Sequence, residues 1–575
     1  MATEVNPGSA ASAAQRPKGP SGQPAPGLGR PLLLALACVG VVGLPVLSIF
    51  ASFFGAAESA DTLRHLLSTV IPAAMAETFL LGAGVVAGVV IVGSVTAWLA
   101  ATCEFPGRRC FEWALLLPLA MPAYIVAYAY TDALQFAGPL QTALRESFEW
   151  RRSDYWFPEI RSIPGGIFVF SVVLYPYVYL LARTAFLART AAMIDAARSL
   201  GLTAWQTWWR VNIPLARPAI AAGALLALME TLADYGASVY FGLQTFTTAI
   251  YRAWFSMGDR VAASQLAGVL LLLVLGLLAL ERAARGRARF FTPTASQRPA
   301  PRAALSGWRA WGAIALCVTP VMVGFALPVL LLVRLLLPVW TGVDPARFLQ
   351  WLANTLGVAV GSSVVVLVVV LALAYAARAA ERGAPAALVR ASVRLMSLGY
   401  ALPGAVVAVG ILVPLAGFDN ALDGVLKSLS GVGTGLLLTG SVFALLYGYL
   451  VRYFAVAYQS VEAGLARITP AMDASARSLG SSTIDTFLRV HLPILSPSVL
   501  AAVLLVFVDV MKELPATLVL RPFNFDTLAV VAYQLASDER LGEAALPALT
   551  IVLAGVLPVV LLSRAIARAA GPGQT

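Results

Sequence analysis

Runs of about 20 apolar residues recur along the whole chain, each long enough to cross a hydrocarbon core of roughly 30 Å as a helix. The pattern predicts spans near residues 31–54, 77–102, 111–136, 165–187, 218–238, 263–283, 310–337, 355–379, 392–416, 434–458, 498–519 and 545–565. Twelve such spans make the expected fold an all-α integral membrane protein. Two polar interruptions stand out: "DAARSLG" at Asp195 to Gly201 and "DASARSLG" at Asp473 to Gly480.

The two phrases belong to an internal repeat, which has to be read before any motif. A shift of 279 residues superimposes Arg198 to Gly201 on Arg477 to Gly480, Pro214 on Pro493 and Pro218 on Pro497. The same shift carries Phe246 onto Phe525 and Thr248 onto Thr527, while upstream Pro122 falls on Pro403 with a shift of 281. The expected organisation is a tail at 1–30, a first half at 31–283, a basic linker at 284–309, a second half at 310–565 and a short tail at 566–575. Each repeated phrase lies between the fourth and fifth span of its half. "MIDAARSL" ends at Gly201, a residue suited to a left-handed cap, and "TAWQTWWRV" forms a second short helix before Pro214. A helix-turn-helix elbow at the membrane surface is expected in both halves, with Asp195 and Arg198, and Asp473 and Arg477, spaced to pair along a helix.

Composition agrees with the membrane reading: of 575 residues 59% are hydrophobic and 12% charged. The net charge of +11 is not a nucleic-acid footprint, because the arginines gather in alternate loops, as the positive-inside rule requires. The segment "ERAARGRARFFTPTASQRPAPRAALSGWR" holds seven Arg against one Glu, whereas "TALRESFEWRRSDYWFPEIRSIP" balances four Arg with four acids. Both termini and both elbows are therefore expected in the cytoplasm. The first residues, rich in Pro, Gly, Ser and Ala, suggest a disordered tail and lack the apolar core of a signal peptide. Cys38, Cys103, Cys110 and Cys317 have no metal-ligand spacing. Only Lys18, Lys427 and Lys512 are lysines, and none completes a phosphate-binding loop.

Within the spans, charged side chains are costly and mark function by default. "LMETLADYG" places Glu230 and Asp234 four residues apart on one helix face, and the 279 shift sets them on Asp509 and Glu513 of "VDVMKELPA". These four carboxylates, with Tyr235, suggest a pathway for a hard cation that prefers oxygen ligands. An equally weighted reading has them satisfying polar neighbours or Lys512. Gly84 and Gly88 have the spacing of a close helix contact, and Pro118 and Pro122 that of a kink.

The order Asp195, Ala196, Ala197, Arg198, then Gly201, Val211 and Pro214 resembles the "EAA" loop of permease subunits of ATP-binding-cassette importers. In the second half Gly480, Val490 and Pro493 fit, but the acid moves one place to Asp473 and Ala474 takes its site. "LPLAMPAYIVAYAYTDALQ", "TLADYGASVYFGLQTFTTAIYRAWF" and "KELPATLVLRPFNFDTLA" are similar to phrases of the fused, two-half permeases of ferric-iron importers. The resemblance implies a type I importer fold in a bacterial inner membrane. It implies two cytoplasmic ATPase subunits, which carry ATP and Mg²⁺ and grip the elbows, and a periplasmic binding protein. It leaves this chain a permease, not an enzyme, with membrane lipid around it and no cofactor or resident metal of its own. Thiamine, a polyamine or a phosphonate remains open as the cargo, and an ion-driven secondary transporter with parallel six-helix repeats is the alternative of another class.

Overall fold

The computed structural model describes residues 29–54, 57–187, 191–285, 302–379 and 384–569. Most of the expected terminal tails and of the basic linker lies outside them, while helices take in residues 29–30 and 566–569 of the expected tails. The first half runs through Gly29–Ala51, Val70–Thr102, a third segment from Arg108 to Leu134, Ile163–Leu187, Ile213–Ala233 and Arg260–Arg285. The second follows with Trp308–Val321 continued to Leu336, Pro345–Ala379, a third segment from Ala384 to Ser430, Val442–Leu465, Leu492–Met511 and Leu541–Ala569. Among the described residues the one strand pairing is the two-residue parallel match of Cys103–Glu104 with Ala303–Ala304, which ties the end of the linker to the first half.

Nine of these helices are long and apolar enough to cross a membrane among the described residues, or ten when a bent pair counts as one span. The expected count of twelve is not reached on those terms, and the shortfall has causes. The third segment of the first half bends by 88° between Ala120 and Ala123, where Pro122 sits in extended backbone as the N-cap of Ala123–Leu134. A proline that lacks an N–H and restricts its predecessor ends one helix and starts another. Pro403 does the same at the N-terminus of Gly404–Ser430. Val442–Leu465 is 24 residues long but carries Arg452, Glu462 and four tyrosines, and of the first helix Leu36–Ala51 is the apolar part.

In each half the second, fourth and fifth segments pack together. In the first half the spacing of Gly84 and Gly88 has the predicted use. A Cβ on Gly84 would lie 2.3 Å from Ile167 Cδ1, and one on Gly88 2.1 Å from Ser171 Oγ, so the helices approach as only glycine allows. The first segments cross over. Gly29–Ala51 packs on Ala384–Leu398 and Gly404–Ser430 of the second half, and Met322–Leu336 packs on the third and fourth segments of the first half. The sixth segments follow the same exchange: Arg260–Arg285 meets Gly404–Ser430, and Leu541–Ala569 meets Leu117–Ala120. The two halves are thus clasped reciprocally.

One part of the expected repeat register is corrected. Thr245 caps its helix by accepting from Thr248 N, and the residue doing this in the second half is Thr527, which accepts from Val530 N. The neighbouring amides of Phe246 and Leu528 then donate to Thr78 and Thr355 of the second segments. Thr245, not Thr248, therefore corresponds to Thr527, because the second half has three more residues in the connection before the cap.

Candidate functional site

The fifth segment breaks in both halves. Ile213–Ala233 is followed by the short helix Gly236–Tyr240, and Leu492–Met511 by Pro515–Leu520. A helix that starts inside an apolar bundle leaves amide groups without partners, and each costs free energy unless something accepts from it. Asp234 Oδ1 accepts from the backbone N–H of Ala237 at 2.9 Å and of Ser238 at 3.1 Å. Glu513 accepts from Ala516 N and Thr517 N, both at 2.9 Å. The two carboxylates paired by the 279 shift do the same job, so two of the four expected pathway carboxylates are also caps.

All four carboxylates line one cavity of about 110 Å³ between the halves. Tyr235 is not part of that lining. Its ring stacks on Tyr251 with centroids 3.8 Å apart and its hydroxyl meets Tyr533 at 3.1 Å, because the chain leaves the helix at Asp234 and turns the next side chain elsewhere. Each carboxylate has a partner. Lys512 Nζ lies 2.9 Å from Asp509 Oδ1, Arg452 Nη1 donates to Glu513 Oε1 at 2.5 Å, and the Tyr400 hydroxyl donates to Glu230 Oε1 at 3.4 Å. The Tyr124 hydroxyl, also in the lining, is buried with no hydrogen-bond partner. Among the described residues no three of His, Cys, Asp and Glu are grouped closely enough to hold a metal ion.

Arg452 and Tyr400 escaped the sequence reading. The signal for Arg452 was a lone arginine inside "LLYGYLVRYFAVAY", which intramembrane cost alone should have flagged. The cations are also distributed unequally. The 279 shift puts Arg452 opposite Val173 and Lys512 opposite Ala233. The Pro122 register puts Tyr400 opposite Leu119. All six line the cavity, so the second half supplies both cations while the first presents apolar side chains at the matching positions. Four carboxylates face two cations.

The elbows form as expected. Ala191–Ser199 and Pro470–Ser478 each end before a glycine in left-handed backbone, Gly201 at φ 75° and Gly480 at φ 78°. The turns close through Leu202 N to Ala197 O and Ser481 N to Ala476 O, both 3.1 Å. A reciprocal cap then starts each second helix: Gln206 N donates to Thr203 Oγ1 and Thr203 N to Gln206 Oε1, while Asp485 N donates to Ser482 Oγ, whose hydroxyl donates to Asp485 Oδ2. Widened turns at Trp208–Asn212 and Phe487–His491 lead into the fifth segments, which Pro214 and Pro493 enter in their first turn.

Asp195 and Ala196 are exposed and Ala197 is buried. The side chains of Arg198 and Arg477 lie outside the described residues. Asp473 is tied down: Arg378 Nη2 lies 2.5 Å from its Oδ2 and His491 Nε2 2.8 Å from its Oδ1. Burial works to raise its pKa, but the bonds from Arg378 and His491 outweigh it and hold the carboxyl below the usual range. At the tips, Leu200 and Leu479 stand 79% and 85% exposed, an apolar knob at the same place in both elbows.

Residues 93–280 match the family described as binding-protein-dependent transport system inner membrane component. The chain is 25% identical to the Fe(3+)-transport system permease protein FbpB 2 of Haemophilus influenzae, over 85% of this chain and 89% of that one. It is 23% identical to the probable ABC transporter permease protein y4fN of Sinorhizobium fredii, over 92% and 95%. The molybdenum transport system permease protein ModB of Escherichia coli is 27% identical over 30% of this chain and 76% of its own length. The long relatives span both halves and the short one spans a single half, which leaves the ion-driven carrier without support. Residues 93–280 belong to the binding-protein-dependent transport permease family, and along most of its length this multi-pass chain is similar to two-half permeases.

Proposed function

We propose that this permease carries ferric iron, handed over by a binding protein, through the cavity between its halves. The observation that carries the proposal is the excess of oxygen donors there. Glu230, Asp234, Asp509 and Glu513 outnumber Arg452 and Lys512, and Tyr124 adds an unpartnered hydroxyl. Hard cations favour such ligands, and similarity to an Fe(3+) permease along most of both chains supports the same cargo. Two ATPase subunits, binding ATP and Mg²⁺, would seat on the elbows. The exposed Leu200 and Leu479 offer equivalent contacts to two copies of one partner, and alternating access of the cavity would follow their closure.

Arg452 and Lys512 favour a second reading, an oxyanion cargo such as the one named for the molybdenum relative. Each is engaged by a carboxylate of its own half, which weighs against it. The test is uptake of radioactive iron or molybdate into vesicles holding the assembled transporter and its binding protein. Iron uptake falling at least tenfold in Glu230→Gln/Asp509→Asn, with normal protein abundance, is the expected result. Unchanged uptake in that variant removes the carboxylates from the pathway, and molybdate uptake lost in Lys512→Gln favours the oxyanion.

A further inference from the structure

A second cavity, of about 1000 Å³, lies between the end of Pro345–Ala379, the helix Ala384–Leu398 and Val442–Leu465. Arg390 and Arg394 line it, one turn apart and so on one face of their helix. Both are exposed, and among the described residues neither has an ion pair or a side-chain hydrogen bond. Leu395, Leu398 and Tyr458 supply an apolar wall, and Glu462 is the one acid in the lining. Ala377 also lines the cavity, and its neighbour Arg378 holds Asp473, so the cavity opens at the end of the bundle that carries the elbows.

The first half shows what this place looks like when the protein satisfies its own charges. There Arg183 pairs with Glu112 at 3.0 Å, Glu112 with Arg108, Arg108 with Glu104 at 3.0 Å, and Glu104 with Arg302 at 3.7 Å. In the Pro122 register Arg108 and Glu112 become Val389 and Val393, and the 279 shift sets Arg183 on Glu462. The second half has Pro385 and Val393 in place of Glu104 and Glu112, yet retains Arg390, the counterpart of Arg109, and adds Arg394 where the first half has Trp113. The result is a basic, partly apolar recess at the membrane boundary in which, among the described residues, Arg390 and Arg394 outnumber the one acid, Glu462.

We infer that this recess binds the phosphate headgroup of an anionic phospholipid from the elbow-side leaflet, its phosphate between Arg390 and Arg394 and its chains against the apolar wall. Basic pockets between transmembrane helices on the arginine-rich side suit such headgroups, and each arginine near the surface contributes about 1 kcal/mol, or about fivefold in affinity. The ligand would bridge the third and fourth segments of the second half beside the anchor of its elbow. This inference is independent of the cargo.

The test uses the purified full-length chain in detergent, titrated with phosphatidylglycerol, phosphatidylcholine or inorganic phosphate, with adducts counted by native mass spectrometry. Phosphatidylglycerol is expected to bind, phosphatidylcholine and phosphate not, and Arg390→Gln/Arg394→Gln is expected to weaken binding about fivefold for each arginine removed. Should that variant not fold, Glu462→Gln decides, since removing the one acid in the lining is expected to tighten phosphatidylglycerol binding. Equal binding by wild type and the double glutamine variant, an unchanged Glu462→Gln, or phosphate alone matching the lipid would overturn the inference. Displacement of the lipid by an added ATPase subunit would do so too, by assigning the recess to a protein partner.

Discussion

Tyr400 of the second half donates to Glu230 of the first across 3.4 Å, and this bond joins the two walls of the central cavity. The other charged contacts of the lining lie within the second half, between Arg452 and Glu513 and between Lys512 and Asp509. The halves are therefore alike in backbone and unlike in charge.

Arg452 and Glu513 are almost wholly buried, with side-chain exposures of 12% and 2%. Removing one member of such a pair strands the other in a low dielectric and typically costs 3–5 kcal/mol, roughly. Arg452→Met should lower the thermal unfolding midpoint clearly, whereas Lys512→Met, in a more exposed pair, should lower it less. Equal midpoints in a detergent melt would contradict the burial argument.

Asp473 anchors the second elbow, and Asp195 is exposed in the first. Asp473→Asn should speed amide exchange in Pro470–Ser478, and Asp195→Asn should leave Ala191–Ser199 unchanged. The sign with pH follows from the depressed carboxyl. Its stabilisation is complete above the unfolded value of about 4 and is lost as pH falls through the lowered native value. Exchange in the second elbow should therefore rise on acidification below about pH 4. Arg198→Glu and Arg477→Glu should weaken ATPase capture to different degrees, and identical losses would contradict the asymmetry.

Gly201 and Gly480 adopt left-handed backbone with open space around them. Alanine at either place meets no neighbour, so its cost is the backbone term alone, about 1 kcal/mol. Gly201→Ala and Gly480→Ala should leave the spans intact and lower ATPase-coupled transport. A variant with full coupling and unchanged elbow exchange would show that the cap is dispensable.

Gly88→Leu should be worse tolerated than either, because a Cβ alone would sit 2.1 Å from Ser171 Oγ. The expected result is loss of folded protein in membranes, measured by size-exclusion profile. Gly276→Leu, at a position with nothing within 4 Å, is the control and should behave as wild type.

The sequence made the segments, the repeat and the elbows legible, because apolar length, Gly201, Gly480 and the two prolines are local signals. Pro122 and Pro403 marked the breaks, but not that the first break reaches 88°. Asp234 and Glu513 were visible as intramembrane charges, while their capping work was not, since it depends on a helix restarting two residues later. Tyr235 was misplaced for the same reason: beyond a helix end, adjacency in sequence no longer sets direction. The three-residue slip at Thr527 and the charges gathered around Arg452 needed the tertiary contacts.

The reciprocal clasp has a consequence for biosynthesis. Gly29–Ala51 is made first, yet the surface it rests on, Ala384–Ser430, emerges only after the whole first half and more have been synthesised. Until then the leading helix has Arg260–Arg285 of its own half to rest on, and the first half lacks the cover that Met322–Leu336 will bring. Each half is covered in part by helices of the other, and the fused chain delivers the two together and in equal number.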